Sequence, residues 1–189
     1  MKEYLFEDGT NVELGQLKVT EQLSLADYQK AHQSLPIMCH DVFIFYRSGI
    51  LLVYRDNFPA KNEYWPIGGR LQRGVPVVDS LRDKVQKECG LQLKDIVYID
   101  LARHFFRTAP FDLKKGTDTP CAVYAACGEG ILKLDTLHSK PLLVVPEGVH
   151  IAPVGGCVVQ EYTPEFSAKL HPYVREFLSL GLERFFGKQ

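Results

Sequence analysis

The stretch that most limits what this chain can become is NEYWPIGGRLQRG, residues 62–74. Pro66 has no amide hydrogen and a fixed φ, and Gly68, Gly69 and Gly74 weaken any regular helix, so a strand should end here in a turn. Before it come two β-rich runs, DVFIFYRSGILLVYRD (41–56), split at Ser48-Gly49, which is a hairpin signal. After it, Pro76 to Cys89 reads as a helix with Val77, Val78, Leu81 and Val85 as an apolar stripe and Gly90 at its end. Trp65, the chain's only Trp, stands beside the turn as a flat wall or a core aromatic.

The flanking sequence fits elements on either side of this centre. Residues 1–22 are mixed, with short β-like pieces around a turn at Asp8-Gly9. SLADYQKAHQSL (24–35) reads as a helix capped by Ser24, with Asp27 in the reciprocal position and Pro36 ending it. DIVYIDLARHFFR (95–107) is strand-like, 110–120 is a polar loop, and CAVYAAC (121–127) is a buried strand. Residues 128–141 read as short strand and loop, and 142–145 and 156–159 as further short strands. A last helix begins with Thr163 as cap and Pro164 in the first turn. It restarts near Pro172 and runs to about Phe186, with Tyr173, Val174, Phe177, Leu178 and Leu182 on one side. This order predicts a mixed α/β sandwich rather than regular βαβ alternation.

A length of 189 residues predicts one domain, with room for an appended segment. The net charge of -1 and scattered basic residues do not call for nucleic acid or an anionic membrane as partner. No apolar run reaches the ~20 residues that span a bilayer. The opening MKEYLFEDGTNVEL puts acids where a secretory signal needs an apolar core, so a cytoplasmic protein is expected. Five cysteines without a C-x-x-C pair read as buried free thiols, and Cys121 and Cys127 would share one strand face.

The chemistry gathers around the glycines. Gly68 and Gly69 let the backbone approach a ligand and free a carbonyl to face it. Glu88 shares the buried helix face with Leu81 and Val85, and a buried acid needs a metal, a Lys or Arg, or a proton. A carbonyl plus this carboxylate suits Mg²⁺ holding a phosphate. Lys84, four residues before Glu88, is the competing partner and could take the metal's place. His150, with Glu147 nearby, is a separate candidate in PEGVHIAP.

Gly69, five residues, Val75, seven residues and then DKVQKECGL (83–91) resembles the Nudix box, a loop–helix–loop that binds Mg²⁺ and a diphosphate. The chain departs from it at Val75, Asp83, Lys84 and Lys87, and keeps Glu88, Gly69, Gly90, Val85 and Leu91. LLVYRDNFPAKNEYWPIGGRLQRG (51–74) is similar to a segment of the GDP-mannose mannosyl hydrolase branch. Asp41, His104, Gly116-Thr117-Asp118 and LDTLHS (134–139) add to the likeness, which spans roughly residues 36–140.

The resemblance implies a Nudix-type α/β/α sandwich with a mixed β-sheet. Residues 1–35 would be an N-terminal extension packed on the domain, 36–162 the Nudix-like domain, and 163–189 a C-terminal helical segment of it. It implies a Mg²⁺-dependent hydrolase that attacks a GDP-mannose-like nucleotide-sugar at the anomeric carbon, giving nucleoside diphosphate and free sugar. Metal ligands would be Gly68 or Gly69, and Glu88. Arg55 and Arg70 would hold the diphosphate, and His138 would be the general base. Asp41, His104 and Trp65 would complete the substrate site, and a homodimer is implied. Two alternatives stay open: a Nudix-fold binding or regulatory module without turnover, and a pyrophosphatase acting at phosphorus. Each side chain also has a plainer reading: Arg55 and Arg70 as surface charges, His138 as a solvated loop histidine, His104 as a strand histidine satisfied by its neighbours.

Overall fold

The computed structural model describes residues 1–3, 17–19, 23–113 and 115–187. The turn expected at Asp8-Gly9 lies outside them. The elements are α1 (Leu25–Ser34), β1 (Cys39–Tyr46), β2 (Gly49–Arg55), β3 (Tyr64–Trp65), β4 (Ile67–Arg70), α2 (Val77–Cys89), β5 (Gln92–Phe106), β6 (Thr117–Glu129), β7 (His138–Pro146), β8 (Val158–Tyr162), α3 (Pro164–Ser167) and α4 (Pro172–Phe186). A 3₁₀ turn, Pro110–Asp112, precedes β6.

Local chemistry sets most of these ends. The Ser24 hydroxyl accepts from the Asp27 amide at 3.2 Å and donates to the Asp27 carboxylate at 2.7 Å. Thr163 caps α3 by accepting from the Phe166 amide at 3.3 Å. Gly90 ends α2 in the left-handed conformation, φ 72°. Pro76 provides no side-chain cap for α2; instead the Glu3 carboxylate accepts from the Val77 amide at 2.9 Å, a negative charge at a helix N-terminus. The hairpin turns one residue earlier than expected. Arg47 and Ser48 are its central residues, both at positive φ, and Gly49 already begins β2.

The sheet order is β5-β6-β1-β2-β7-β8, with β3 added to β2 and β4 to β1. β1 runs parallel to β6, and β7 parallel to β8; the other pairings are antiparallel. β5 begins three residues before the stretch read as strand-like, and β6 to β8 are longer than the short runs of the sequence reading. β6 begins at Thr117 inside the expected polar loop, because Thr117 to Pro120 pair with Arg103 to Phe106 across the ladder.

Both faces of the sheet are covered, so β1 and β2 are buried at most positions, and mostly apolar apart from His40, Asp41 and Arg55. Val42, Ile44, Leu51 and Val53 pack with Val77, Leu81 and Val85 of α2. Phe43, Ile50 and Leu52 pack with Tyr173, Val174, Phe177, Leu178 and Leu182 of α4. Each such side chain taken from water contributes about 1.5–3 kcal/mol. The chain is thus an α/β/α sandwich around a mixed sheet. Cys39 and Cys127 are only half-buried, unlike the buried thiols expected. No helix among the described residues is long and apolar enough to cross a membrane.

The sheet forks at its centre. β1 pairs with β2 only over 44–46, and over 39–42 it pairs with β4 instead. β2 at its far end pairs with β3, Val53 facing Trp65. The stretch 62–74 fills this fork, which accounts for its rigid and flexible residues standing side by side. The pairing sets Gly68 against Asp41, where a Cβ would lie 2.0 Å from the Asp41 Oδ1.

Candidate functional site

A cavity of about 310 Å³ opens at the fork. Asp41, Arg55, Trp65, Gly68, Gly69, Arg70, Glu88, His104 and His138, the nine residues singled out by sequence, all line it. His150 does not. It is exposed near β8, and its Nδ1 lies 3.3 Å from Glu161 rather than near Glu147.

The floor is polar and rigid. Asp41 Oδ2 accepts from the Tyr173 hydroxyl at 2.8 Å and from Trp65 Nε1 at 3.3 Å. Burial raises the pKa of Asp41, and these donors oppose the rise. His104 stands edge-on to Tyr173, ring centroids 4.2 Å apart, and its Nε2 has no partner. Burial lowers its pKa to about 4, so the imidazole is neutral at pH 7.

On one wall, Arg55 ends β2 directly opposite His138 at the start of β7. Arg55 Nε donates to the Pro59 carbonyl at 3.0 Å, which fixes the guanidinium stem. His138 Nδ1 lies 2.7 Å from the Asp135 carboxylate. A carboxylate can only accept, so this contact selects the neutral tautomer with the proton on Nδ1, the form that leaves a lone pair on Nε2. That Nε2 is buried without a partner. The Asp135 amide in turn donates to the Glu88 carbonyl at 2.9 Å, tying this loop to the end of α2. At the mouth, Arg70 stacks over Tyr28 of α1, 4.4 Å from ring centroid, and Phe111 meets Tyr28 edge-on.

The end of α2 beside the Asp135 loop carries the expected metal set. Glu88 Oε1 lies 3.2 Å from Lys84 Nζ, and Oε2 is buried without a partner. The Lys84 stem lies across Gly69, where a Cβ would stand 3.0 Å from Nζ and 3.1 Å from Cε. Burial raises the pKa of Glu88, opposed first by the Lys84 charge. Mg²⁺ asks for several hard oxygen ligands in near-octahedral order. Here α2 presents one carboxylate to the cavity, already paired with an ammonium. Asp79 is turned outward to Arg82. The residues present therefore do not fit a divalent cation in this arrangement. Asp41, His104 and Cys121 also bring donor atoms within 4.8 Å of one another. Two hydrogen bonds already occupy Asp41 Oδ2, and burial pushes the Cys121 thiol well up, so this cluster reads as a polar floor.

Sequence reading did not single out Tyr28, His32, Tyr173 or Asp135 as site residues. The (i, i+4) spacing of Tyr28 and His32 on α1 would have put both on one helix face. Asp135 had a signal in its place three residues before a histidine. Tyr173 had none, because it is also part of an apolar helix face.

No known protein-family profile matches the chain. It is 24% identical over 139 residues to the low-salt glycan biosynthesis protein Agl8 of Haloferax volcanii, across 70% of this chain and 87% of that protein. A MutT Nudix hydrolase from Burkholderia pseudomallei matches 57% of this chain and 81% of its own at 20% identity, with a TM-score of 0.49. The MutT protein of Methanosarcina mazei Go1 matches 82% of this chain and 99% of its own at 15% identity, with a TM-score of 0.52. The fold of this chain is the Nudix-type α/β/α sandwich.

Proposed function

We propose that this chain hydrolyses a nucleoside-diphosphate sugar at the sugar's anomeric carbon, releasing nucleoside diphosphate and free sugar. The observation that carries this reading is the Asp135–His138 pair in the fork, with an unpartnered Nε2 and Arg55 on the adjoining strand. His138 Nε2 takes a proton from the attacking water. Asp135 holds the imidazole in the right tautomer and stabilises the imidazolium that forms. The water oxygen bonds to the anomeric carbon as the bond from that carbon to the diphosphate oxygen breaks, and the electron pair leaves with the diphosphate. Arg55 and Arg70 stabilise the negative charge gathering on that group. Asp41 and His104, fixed by Tyr173 and Trp65, offer polar groups to the sugar. The name of the Haloferax volcanii relative, a glycan biosynthesis protein, is in keeping with a sugar substrate.

Divalent metal is general among Nudix hydrolases, but here it would have to displace the Lys84 ammonium from Glu88, and no step above uses it. That same ion pair favours a second reading, a binding module without turnover. The test is phosphorus NMR of GDP-mannose incubated with the protein, beside a His138→Gln control. GDP appearing with the wild type, and slowed by about 10²- to 10⁴-fold in the control, is the expected result. GMP plus mannose phosphate would mean attack at phosphorus and would overturn this mechanism. An unchanged GDP-mannose spectrum together with nucleotide-dependent thermal stabilisation would favour the binding module.

A further inference from the structure

We propose that the Lys84 ammonium is the resident cation of the diphosphate subsite, so that the ligand's diphosphate is held without a divalent metal. The ligand class rests on the function proposed above; the cation assignment rests on the geometry of one wall. Lys84 and Glu88 are four apart on α2 and close a 3.2 Å ion pair facing the cavity. Gly69 has no side chain, and the vacancy is filled by the Lys84 stem, since a Cβ there would come within 3.1 Å of both Cε and Nζ. The glycine thus makes room for a lysine.

Nζ has three donors and Glu88 Oε1 takes one, which leaves the others for a ligand in the cavity that Lys84 lines. Among the described residues neither Arg55 nor Arg70 is in an ion pair. Arg55, Arg70 and Lys84 therefore converge as three cationic side chains on one cavity, against the two lining carboxylates of Asp41 and Glu88. A diphosphate diester brings two negative charges, and the three cationic side chains can each offer its oxygens charged hydrogen bonds, the set together with Asp41 and Glu88 carrying a formal +1. Glu88 has the complementary task. With one oxygen it holds Nζ over Gly69, so the ammonium stands at the cavity rather than in solvent.

Two binding measurements test this, and neither needs turnover. The first is calorimetric titration with pyrophosphate in EDTA, using the wild type, Lys84→Ala and Lys84→Arg. The second is titration with Mn²⁺ alone, followed by electron paramagnetic resonance, on the wild type, Lys84→Glu and Glu88→Gln. Pyrophosphate should bind the wild type in EDTA and weaken about 10-fold or more in Lys84→Ala, the loss of one charged hydrogen-bond partner. Lys84→Arg should retain the affinity. Mn²⁺ should bind Lys84→Glu and not the wild type. Thermal melting of each variant separates misfolding from lost binding.

Wild-type Mn²⁺ binding that disappears in Glu88→Gln would overturn the assignment. So would pyrophosphate affinity that is absent in EDTA or unchanged in folded Lys84→Ala. Metal-dependent cleavage of GDP-mannose with those results would leave the proposed function standing while this inference fell. Lys84-dependent pyrophosphate binding without cleavage of any nucleotide-sugar would do the reverse.

Discussion

Gly68→Ala should damage the protein far more than its single added methyl suggests. The new Cβ would lie 2.0 Å from the Asp41 Oδ1, 2.4 Å from the His40 carbonyl and 2.8 Å from the Asp41 Cα. Two of these are backbone atoms of the central strand β1, held between β4 and β6, so no rotamer change relieves the clash. Forcing β4 off β1 costs about 1–3 kcal/mol as overpacking. It also pulls Asp41 from the Tyr173 and Trp65 hydrogen bonds, and weakening bonds to a buried carboxylate costs roughly 1.5–3 kcal/mol more. For a chain of this size 1 kcal/mol is worth about 2–4 °C, so Tm should fall by about 5–20 °C in calorimetry or circular dichroism. Gly69→Ala is the internal comparison. Its nearest atoms belong to the flexible end of Lys84 rather than to backbone, but its φ of 156° strains any L side chain, so Tm should fall here too, without the clash into β1, while pyrophosphate binding in EDTA should weaken as Lys84 is pushed aside. A Gly68→Ala protein melting within about 2 °C of wild type would refute this account of the fork.

Two further outcomes are expected. His40 and His104 are both buried and neutral, with pKa values lowered from 6.5 to about 4, so the unfolded chain takes up their protons first as pH falls. Their stabilising contribution is complete above pH 6.5 and is lost between 6.5 and about 4, on the order of 3 kcal/mol for each. Urea denaturation across that range should show the slope, and His104→Gln should flatten it; an unchanged slope in the variant would count against a neutral buried His104. Tyr28→Ala should leave Tm nearly unchanged, since Tyr28 is only half-buried, but should release Arg70 from its stacked position. An exposed cation–π contact is worth about 0.5–1 kcal/mol, so pyrophosphate affinity should drop about 2- to 5-fold; no change in titration would show that α1 does not help position Arg70.

The sequence by itself determined the elements whose causes are local. α1 and α3 start where a Ser and a Thr can cap them, α2 stops at a left-handed Gly, and both long helices bury the apolar stripe that their 3.6 periodicity marks out. It also put nine residues on the list that the structure brings to one cavity, because 51–74 carries several of them in a short ordered stretch. Tertiary structure decided what depends on distant partners. The polar residues 117–120 became strand because β5 lies alongside to take their hydrogen bonds, with Arg103 pairing Asp118 across the ladder. Tyr173 reaches Asp41 across 132 residues, and Tyr28 reaches Arg70 from a helix outside the recognised region. Whether Glu88 meets a metal or Lys84 was open in the sequence, since (i, i+4) spacing permits an ion pair without requiring one. In the fold Gly69 lies against the Lys84 stem, which takes the space left by the missing side chain, and Lys84 Nζ stands 3.2 Å from Glu88.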